Sequence, residues 1–422
     1  MSTKWNKRTD EYGGRLENRM RFTLECLESI QKYCGKDYPV IVKYNPSHAT
    51  PDGRQLPEGL EIAKMLEEAG AHALHVDKGC YDCWYNAITT VYQPDAHQIE
   101  LAEAVKKVVK IPVIAQGKLY KPEVAEKVLQ EGKTDFVAIG HQLLADAHWP
   151  NKVKEGRIKD IIPCIGCNEC LKHFFASKHL NCSVNPHSFH EDHYPITPAK
   201  NKKKVLVIGG GPGGIEAALA ASEKGHNVVL WEKDAQLGGL LLAAGAPSFK
   251  YSVMNYVKYM IRKVDRSNVN VQLLKEATPE KVLAGGFDEV IIATGAQSVV
   301  PPIEGINGSQ VYSAIDVLTD KACIEGANVV VIGGGLVGCE TAVHLAMHGK
   351  NVTVVEMLSD ILITADHTLN NDQALRTLIT ENNVKVYTGA KVIAITEDGV
   401  EIEKDEKRSI IACEQVVLAC GF

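Results

Sequence analysis

The sequence predicts an α/β protein of parallel sheets with a cysteine-rich segment near its middle. Three observations predict it. Short apolar runs alternate with amphipathic helices through residues 1–160, four cysteines crowd residues 161–200, and one strand–glycine turn–helix–strand–acid pattern occurs twice in residues 201–422.

The first stretch is built from four apolar runs: Val40-Ile41-Val42, Ala73-Leu74-His75-Val76, Pro112-Val113-Ile114-Ala115 and Phe136-Val137-Ala138-Ile139. Helical patterns lie between them over Pro57–Gly70, Gln98–Val109 and Pro122–Gly132. Leu60, Ala63 and Leu66 recur on one helical face, and Gly70 ends that helix. Pro122 suits a first helical turn, where its missing N–H would find no partner anyway. Strand–helix–strand at this pitch means parallel βα units. Four units fall short of the eight that close a barrel.

Residues 161–200 carry Cys164-Ile165-Gly166-Cys167-Asn168-Glu169-Cys170, with Cys182 after eleven intervening residues. Three thiolates in one compact run plus a remote fourth resemble iron–sulfur ligation. Structural zinc more often takes two separated CxxC pairs. His187, His190 and His193 follow, with Pro195 and Pro198; they read as a linker, because their spacing matches no metal site. The other eight cysteines (Cys26, Cys34, Cys80, Cys83, Cys323, Cys339, Cys413 and Cys420) read as packing residues.

In residues 201–422, Val205–Ile208 runs into Gly209-Gly210-Gly211-Pro212-Gly213-Gly214, and Val329–Ile332 runs into Gly333-Gly334-Gly335-Leu336-Val337-Gly338. Each is followed by a helix and a second strand that ends in an acid, Glu232 or Glu356, 23 residues after the first glycine. The first glycine makes a tight turn, the second lets a pyrophosphate approach the backbone, and the third lets helix pack on strand. The helix N-terminus then holds the phosphate charge. Gly209, Gly211, Gly214 and Glu232 are thus one candidate dinucleotide site, and Gly333, Gly335, Gly338 and Glu356 a second. The acids would accept hydrogen bonds from ribose hydroxyls. A carboxylate at Glu356 favours NADH over NADPH, since it would repel a 2′-phosphate.

These two nested folds resemble the FAD/NAD(P) modules of the pyridine-nucleotide oxidoreductases. The resemblance implies FAD at the first motif and NAD(P)H at the second. It divides the region into an FAD part, residues 201–325 and 414–422, and an NAD insertion, residues 326–413. Ala293-Thr294-Gly295 then marks the return strand of the FAD segment, and Leu237-Gly238-Gly239 a flavin-side loop, adding Gly239, Thr294 and Gly295 to the cofactor site. Val416–Phe422 reads as the strand where the FAD fold resumes. No cysteine lies between Val205 and Ala322, where a disulfide reductase would need its redox pair, so electrons are expected to leave FAD for the cluster.

Asn6–Arg19, NKRTDEYGGRLENR, resembles the signature loop of the old yellow enzyme family. With the cysteine segment and both dinucleotide folds behind it, the chain resembles the branch that holds 2,4-dienoyl-CoA reductase, enoate reductases, trimethylamine dehydrogenase and the bile-acid-inducible NADH:flavin oxidoreductases. That implies the C-terminal half of a (β/α)8 barrel over residues 1–160, an iron–sulfur segment and linker over 161–200, and nested Rossmann-like folds over 201–422. It also implies FMN at the C-terminal mouth of the barrel. Lys43 would lie at the N1/O2 edge of the flavin, and Gly117, Lys118, Gly140 and His141 at its phosphate. The family usually has Gly-Arg at the last two places, so His141 puts one phosphate cation in doubt. Tyr81 stands where relatives face the substrate with a His or Tyr and is the candidate proton donor, with Trp84 and Tyr85 lining a pocket or the core. The family's first four barrel strands and its final FAD segment are not in the sequence, so the chain is expected to be a fragment of a longer protein.

The implied activity is a relay from NADH (or NADPH) through FAD, a [4Fe-4S] cluster on Cys164, Cys167, Cys170 and Cys182, and FMN, to the C=C bond of an unsaturated acid, thioester or ketone. The alternatives are a diaphorase-like electron-transfer subunit and an inactive fragment. Composition narrows the partners: the 422 residues are 45% apolar and 23% charged with net charge −6. No basic patch interleaved with aromatics points to nucleic acid, and no apolar run nears the ~20 residues of a membrane span. The N-terminus has no apolar signal core, so a cytoplasmic location with reduced cysteines is the expectation. The partner that the resemblance implies is a small unsaturated molecule, with homo-oligomerisation left open.

Overall fold

A computed structural model describes residues 1–193, 195–365 and 368–422. The chain divides into two compact units. The first holds residues 1–158, 166–168 and 369–374; the second holds residues 159–165, 169–368 and 375–422.

The first unit is a four-stranded parallel sheet, β1 (Ile41–Tyr44), β2 (Ala73–Val76), β3 (Val113–Ala115) and β4 (Phe136–Val137), in sequence order. Consecutive strands pair because each βα connection returns the chain beside the strand it left. Helices Leu56–Glu68, Ile99–Lys106 and Pro122–Gln130 match the sequence expectation to within a turn. Gly70, at φ +88°, ends the first of these as expected, and the Ala71 amide then reaches back to the Leu66 carbonyl. A further helix, Leu16–Cys34, buries Met20 and Leu27. Its Met20 joins Ile62, Leu66, Leu74 and Val113 in one core. Ile41 and Phe136, on the two edge strands, are each 57% exposed, as a sheet of four units that does not close requires.

The second unit contains two parallel sheets of the same plan. The first is ordered β7-β6-β5-β8, from β5 (Lys204–Ile208), β6 (Asn227–Trp231), β7 (Asn270–Gln272) and β8 (Glu289–Ile292). The second is ordered β12-β11-β10-β16-β9, from β9 (Val311–Ser313), β10 (Asn328–Ile332), β11 (Asn351–Val355), β12 (Lys385–Tyr387) and β16 (Gln415–Leu418). Between β12 and β16 an antiparallel meander, β13 (Lys391–Thr396), β14 (Gly399–Lys404) and β15 (Lys407–Ala412), packs Ile395, Val400 and Ile402 against Val330, Ile332 and Val355.

One boundary is corrected. Residues 414–422 were expected to rejoin the first dinucleotide fold. Instead β16 pairs in parallel with β10 on one side and β9 on the other, inside the second sheet. The physical reason is internal repetition. The Ala293 amide after β8 bonds the Ile208 carbonyl at 2.8 Å, and the Ala419 amide after β16 bonds the Ile332 carbonyl at 2.8 Å. Ala419-Cys420-Gly421 therefore does for the second fold what Ala293-Thr294-Gly295 does for the first. By the same pairing β9, expected in the FAD part, also belongs to the second sheet.

Candidate functional site

The two glycine turns have nearly the same geometry. Gly209 and Gly333 both sit at φ +107°, in the region that glycine reaches without strain. A Cβ on Gly214 would lie 1.8 Å from the Gly209 carbonyl oxygen, and one on Gly338 would lie 1.9 Å from the Gly333 carbonyl oxygen. Neither turn admits a side chain at its third glycine. The middle glycines, Gly211 and Gly335, face open space, where added Cβ atoms would have their nearest neighbours at 3.9 and 4.0 Å. Each turn thus has a crowded inner side and an open outer one, which fits a dinucleotide pyrophosphate.

The acids belong to the same construction. Glu232 Oε2 accepts from the Gly210 amide at 2.6 Å and its Oε1 from the Asp234 amide at 2.8 Å. Glu356 repeats this with the Gly334 amide at 2.6 Å and the Leu358 amide at 2.7 Å. Both side chains are buried, at 7% and 9% exposure. Each carboxylate oxygen has a second lone pair, so a ribose hydroxyl can still donate to it. Beside the second turn a cavity of about 710 Å³ is lined by Gly333, Gly335, Leu336, Glu356, Met357 and Cys420, among others. At the first turn the Gly238 amide bonds the Gly210 carbonyl at 2.9 Å, which folds the Gly238-Gly239 loop over the glycines. Thr294 and Gly295, the latter at φ +74°, follow the end of β8.

Sequence reading missed the ion pair that joins the helix of the second turn to the first fold's helical segment. Lys250 Nζ lies 2.7 Å from Glu340 Oε2, with both side chains about nine-tenths buried. The available signal was an acid inside the apolar helix Leu336–Met347.

In the first unit the expected residues gather at the C-terminal ends of the parallel strands, where ligands of such sheets bind. Lys43, on β1, lies level with His75 on β2, which in turn lies level with Ile114 on β3. Its Nζ is 3.1 Å from Asp77 Oδ2, and Asp77 Oδ1 accepts from Gln116 Nε2 at 2.6 Å. Asp77, Gln116 and His75 were not singled out from sequence, though each sits at or just past a strand end. Burial pushes the His75 imidazole below its ordinary pKa, with the Lys43 charge adding to it. Its Nε2 is buried without a partner among the described residues. The cationic Lys43 held by a carboxylate beside an orphaned imidazole nitrogen fits the polar edge of a flavin.

Lys118 and His141, both expected near the phosphate, lie in buried surroundings. Lys118 is 8% exposed, and its ammonium donates to the carbonyl oxygens of Val91 and Gln93, so its charge braces the preceding loop. His141 starts the short helix His141–Ala145, and burial holds it below the ordinary imidazole range, hence neutral at pH 7. Gly117, at φ +101°, and Gly140, the residue before that helix, supply backbone approach at the same end of the sheet. Tyr81 opens the 3₁₀ turn Tyr81–Cys83 after β2 and is 73% exposed, with its ring 5.6 Å from Trp84. Its phenol is free to meet a ligand, while Trp84 and Tyr85 are half-buried.

Cys164, Cys167, Cys170 and Cys182 are all half-buried. The backbone turns left-handed at Gly166 and Asn168, which flank Cys167. An all-thiol donor set at this spacing suits iron and sulfide. Among the described residues no three His, Cys, Asp or Glu side chains are gathered as a metal-holding group, so donor type and spacing carry the ligand assignment.

Residues 203–422 match the family described as Pyridine nucleotide-disulphide oxidoreductase, and residues 1–160 match the NADH:flavin oxidoreductase / NADH oxidase family. The chain is 42% identical to an NADH oxidase of Thermoanaerobacter brockii, over all of the chain and 65% of the relative. It is 39% identical to a cinnamate reductase of Clostridium sporogenes, over 99% of the chain and 65% of the relative. Among solved structures, a 2-naphthoyl-CoA reductase in complex with 2-naphthoyl-CoA superposes with a TM-score of 0.92 at 35% identity, covering all of the chain and 64% of that protein. The chain spans a little under two thirds of the length of these relatives. No helix among the described residues is long and apolar enough to cross a membrane.

Proposed function

The chain belongs to the pyridine nucleotide-disulphide oxidoreductase family through residues 203–422 and to the NADH:flavin oxidoreductase / NADH oxidase family through residues 1–160, and on that premise we propose that it is the greater part of an NADH-dependent flavin and iron–sulfur alkene reductase. When bound, FAD, a [4Fe-4S] cluster and FMN supply the path by which a nicotinamide's two electrons reach the C=C bond of an unsaturated acid, thioester or ketone.

The observation that carries this reading is the doubled turn: two glycine cradles that share a φ value, a third-glycine contact and a pair of acid-to-amide bonds. In it, Gly211 and Gly335 give a pyrophosphate access to main-chain N–H groups. Glu232 and Glu356 fix the turns and accept ribose hydroxyls. The Glu356 carboxylate disfavours a 2′-phosphate and so selects NADH. Gly239, Thr294 and Gly295 border the FAD site. In the barrel unit, Lys43 holds positive charge at the polar edge of the flavin, with Asp77 and Gln116 fixing its position. Gly117 and Gly140 offer main-chain N–H groups to the phosphate, and His141 contributes as a neutral donor. Tyr81 gives its phenolic proton to the substrate α-carbon from the open side. Cys164, Cys167, Cys170 and Cys182 hold the cluster. The cinnamate reductase and 2-naphthoyl-CoA reductase relatives support a conjugated, aromatic-bearing substrate.

The test is protein purified without oxygen, assayed for iron, acid-labile sulfide, FMN and FAD, and then for NADH oxidation with and without cinnamate. Iron, sulfide and both flavins with cinnamate-dependent oxidation are expected. Zinc in place of iron would overturn the relay. NADH-driven dye reduction that cinnamate leaves unchanged would overturn the alkene-reductase half.

A further inference from the structure

Cys80 and Cys83 read from sequence as packing residues, and Cys83 is buried, but the fold also brings the two thiols together. They bracket the turn Cys80-Tyr81-Asp82-Cys83, and their Sγ atoms lie 3.9 Å apart. The Cys83 amide bonds the Cys80 carbonyl at 3.1 Å, closing a single 3₁₀ turn. Such a turn keeps its end Cα atoms within about 7 Å, inside the reach of a disulfide. The two thiols differ in surroundings. Cys80 is half-exposed, whereas Cys83 is buried, with its Sγ 3.0 Å from the His48 carbonyl oxygen. Lys4 pairs with Asp82 inside the turn and with Asp52 at 2.9 Å, tying the turn to its surroundings. Gly79, at φ +85°, provides the bend that leads into it.

We propose that Cys80 and Cys83 form a reversible dithiol–disulfide site, oxidised by low-molecular-weight disulfides and restored by the corresponding thiols. The Cys80 thiolate attacks one sulfur of the small disulfide, forming a mixed disulfide and releasing one thiolate. Cys83 then loses its proton to solvent and attacks the Cys80 sulfur, releasing the second thiolate. Two protein thiols are oxidised and one small disulfide is reduced to two thiols, so electrons and atoms balance. Burial pushes the Cys83 thiol above its ordinary pKa, which suits it to resolve the mixed disulfide rather than to attack first. The bond would lock the turn that presents Tyr81. The dithiol chemistry does not rest on the proposed electron relay.

The test uses the full chain kept free of oxygen and equilibrated at graded ratios of oxidised to reduced glutathione. Remaining thiols are alkylated and tryptic peptides weighed. Residues 79–106 form one tryptic peptide whose cysteines are Cys80 and Cys83 alone. As the ratio rises, that peptide is expected to lose both alkyl groups together, leaving it two hydrogens lighter than the free dithiol, at the same ratio when approached from reduced or oxidised protein. Cys83→Ser is expected to stop at one glutathione on Cys80. The proposal is overturned if the wild-type peptide keeps both thiols at a ratio that modifies the exposed Cys26 and Cys34, or if it stops at the mixed disulfide.

Discussion

Glu356 carries two duties, and a single substitution separates them. Its carboxylate accepts the Gly334 amide at 2.6 Å and the Leu358 amide at 2.7 Å, and in the proposed NADH site it would also repel a 2′-phosphate. Glu356→Gln keeps an acceptor and removes the charge. The preference for NADH over NADPH, measured as a ratio of kcat/KM values, is expected to fall about tenfold, corresponding to roughly 1.4 kcal/mol. Lys250 and Glu340 are bound to each other more tightly, because both are buried. Removing one side of a buried ion pair is strongly destabilising, by about 3–5 kcal/mol. Lys250→Met is therefore expected to lower the denaturant midpoint sharply, and adding Glu340→Gln to recover much of the loss.

At the scale of elements, the glycine turns couple a strand, a helix and the returning strand. Gly214 meets the Ala293 side chain, and Gly338 meets that of Ala419, as well as the carbonyl at the start of its own turn. An added methyl pushes helix from strand and shifts the amides that would hold a pyrophosphate. Gly338→Ala is expected to raise the KM for NADH at least about tenfold with FAD retained. Gly214→Ala is expected to lose FAD during purification. Flavin released by acid and the NADH titration distinguish the two variants. If Gly338→Ala released FAD and left the NADH KM unchanged, the order of the two folds would be reversed. The strand repetition that makes the sites alike also explains the corrected boundary: β8 and β16 carry the same short apolar-Ala-x-Gly ending, and a strand's partners are not written in its own residues.

For the whole molecule, acid is expected to act unevenly. Burial holds His48 and His97 each down to about 4, with Arg54 and Lys4 adding to the effect at His48 and Lys78 at His97. His75 and His141 are also lowered by burial, and all four lie in the first unit. In the second unit burial lowers the imidazole of His344. An unfolded imidazole titrates near 6.5, so between pH 6.5 and 4 the unfolded chain binds protons that the folded one refuses. The stability tied to these neutral rings is complete above pH 6.5 and is lost as pH falls toward 4, by up to about 3 kcal/mol for His97 alone. His48 also accepts the Arg54 amide through Nδ1 at 2.9 Å, a bond that protonation breaks. Hydrogen exchange followed by peptide mass at pH 7 and pH 5 is expected to show residues 1–158 losing protection well before residues 201–422. Equal loss in both units would contradict it.

The sequence by itself determined the parallel βα alternation, the two dinucleotide turns with their acids, and the cysteine spacing. Each is a local pattern: period, glycine at fixed offsets, or thiols a few residues apart. Only the tertiary structure decided that β16 closes the second sheet, that Lys118 braces a loop, that Lys250 meets Glu340 across 90 residues, and that Asp77 and Gln116 hold Lys43. These depend on which distant backbone or charge a group finds once strands have paired. A one-dimensional pattern leaves that choice among partners open, and packing settles it.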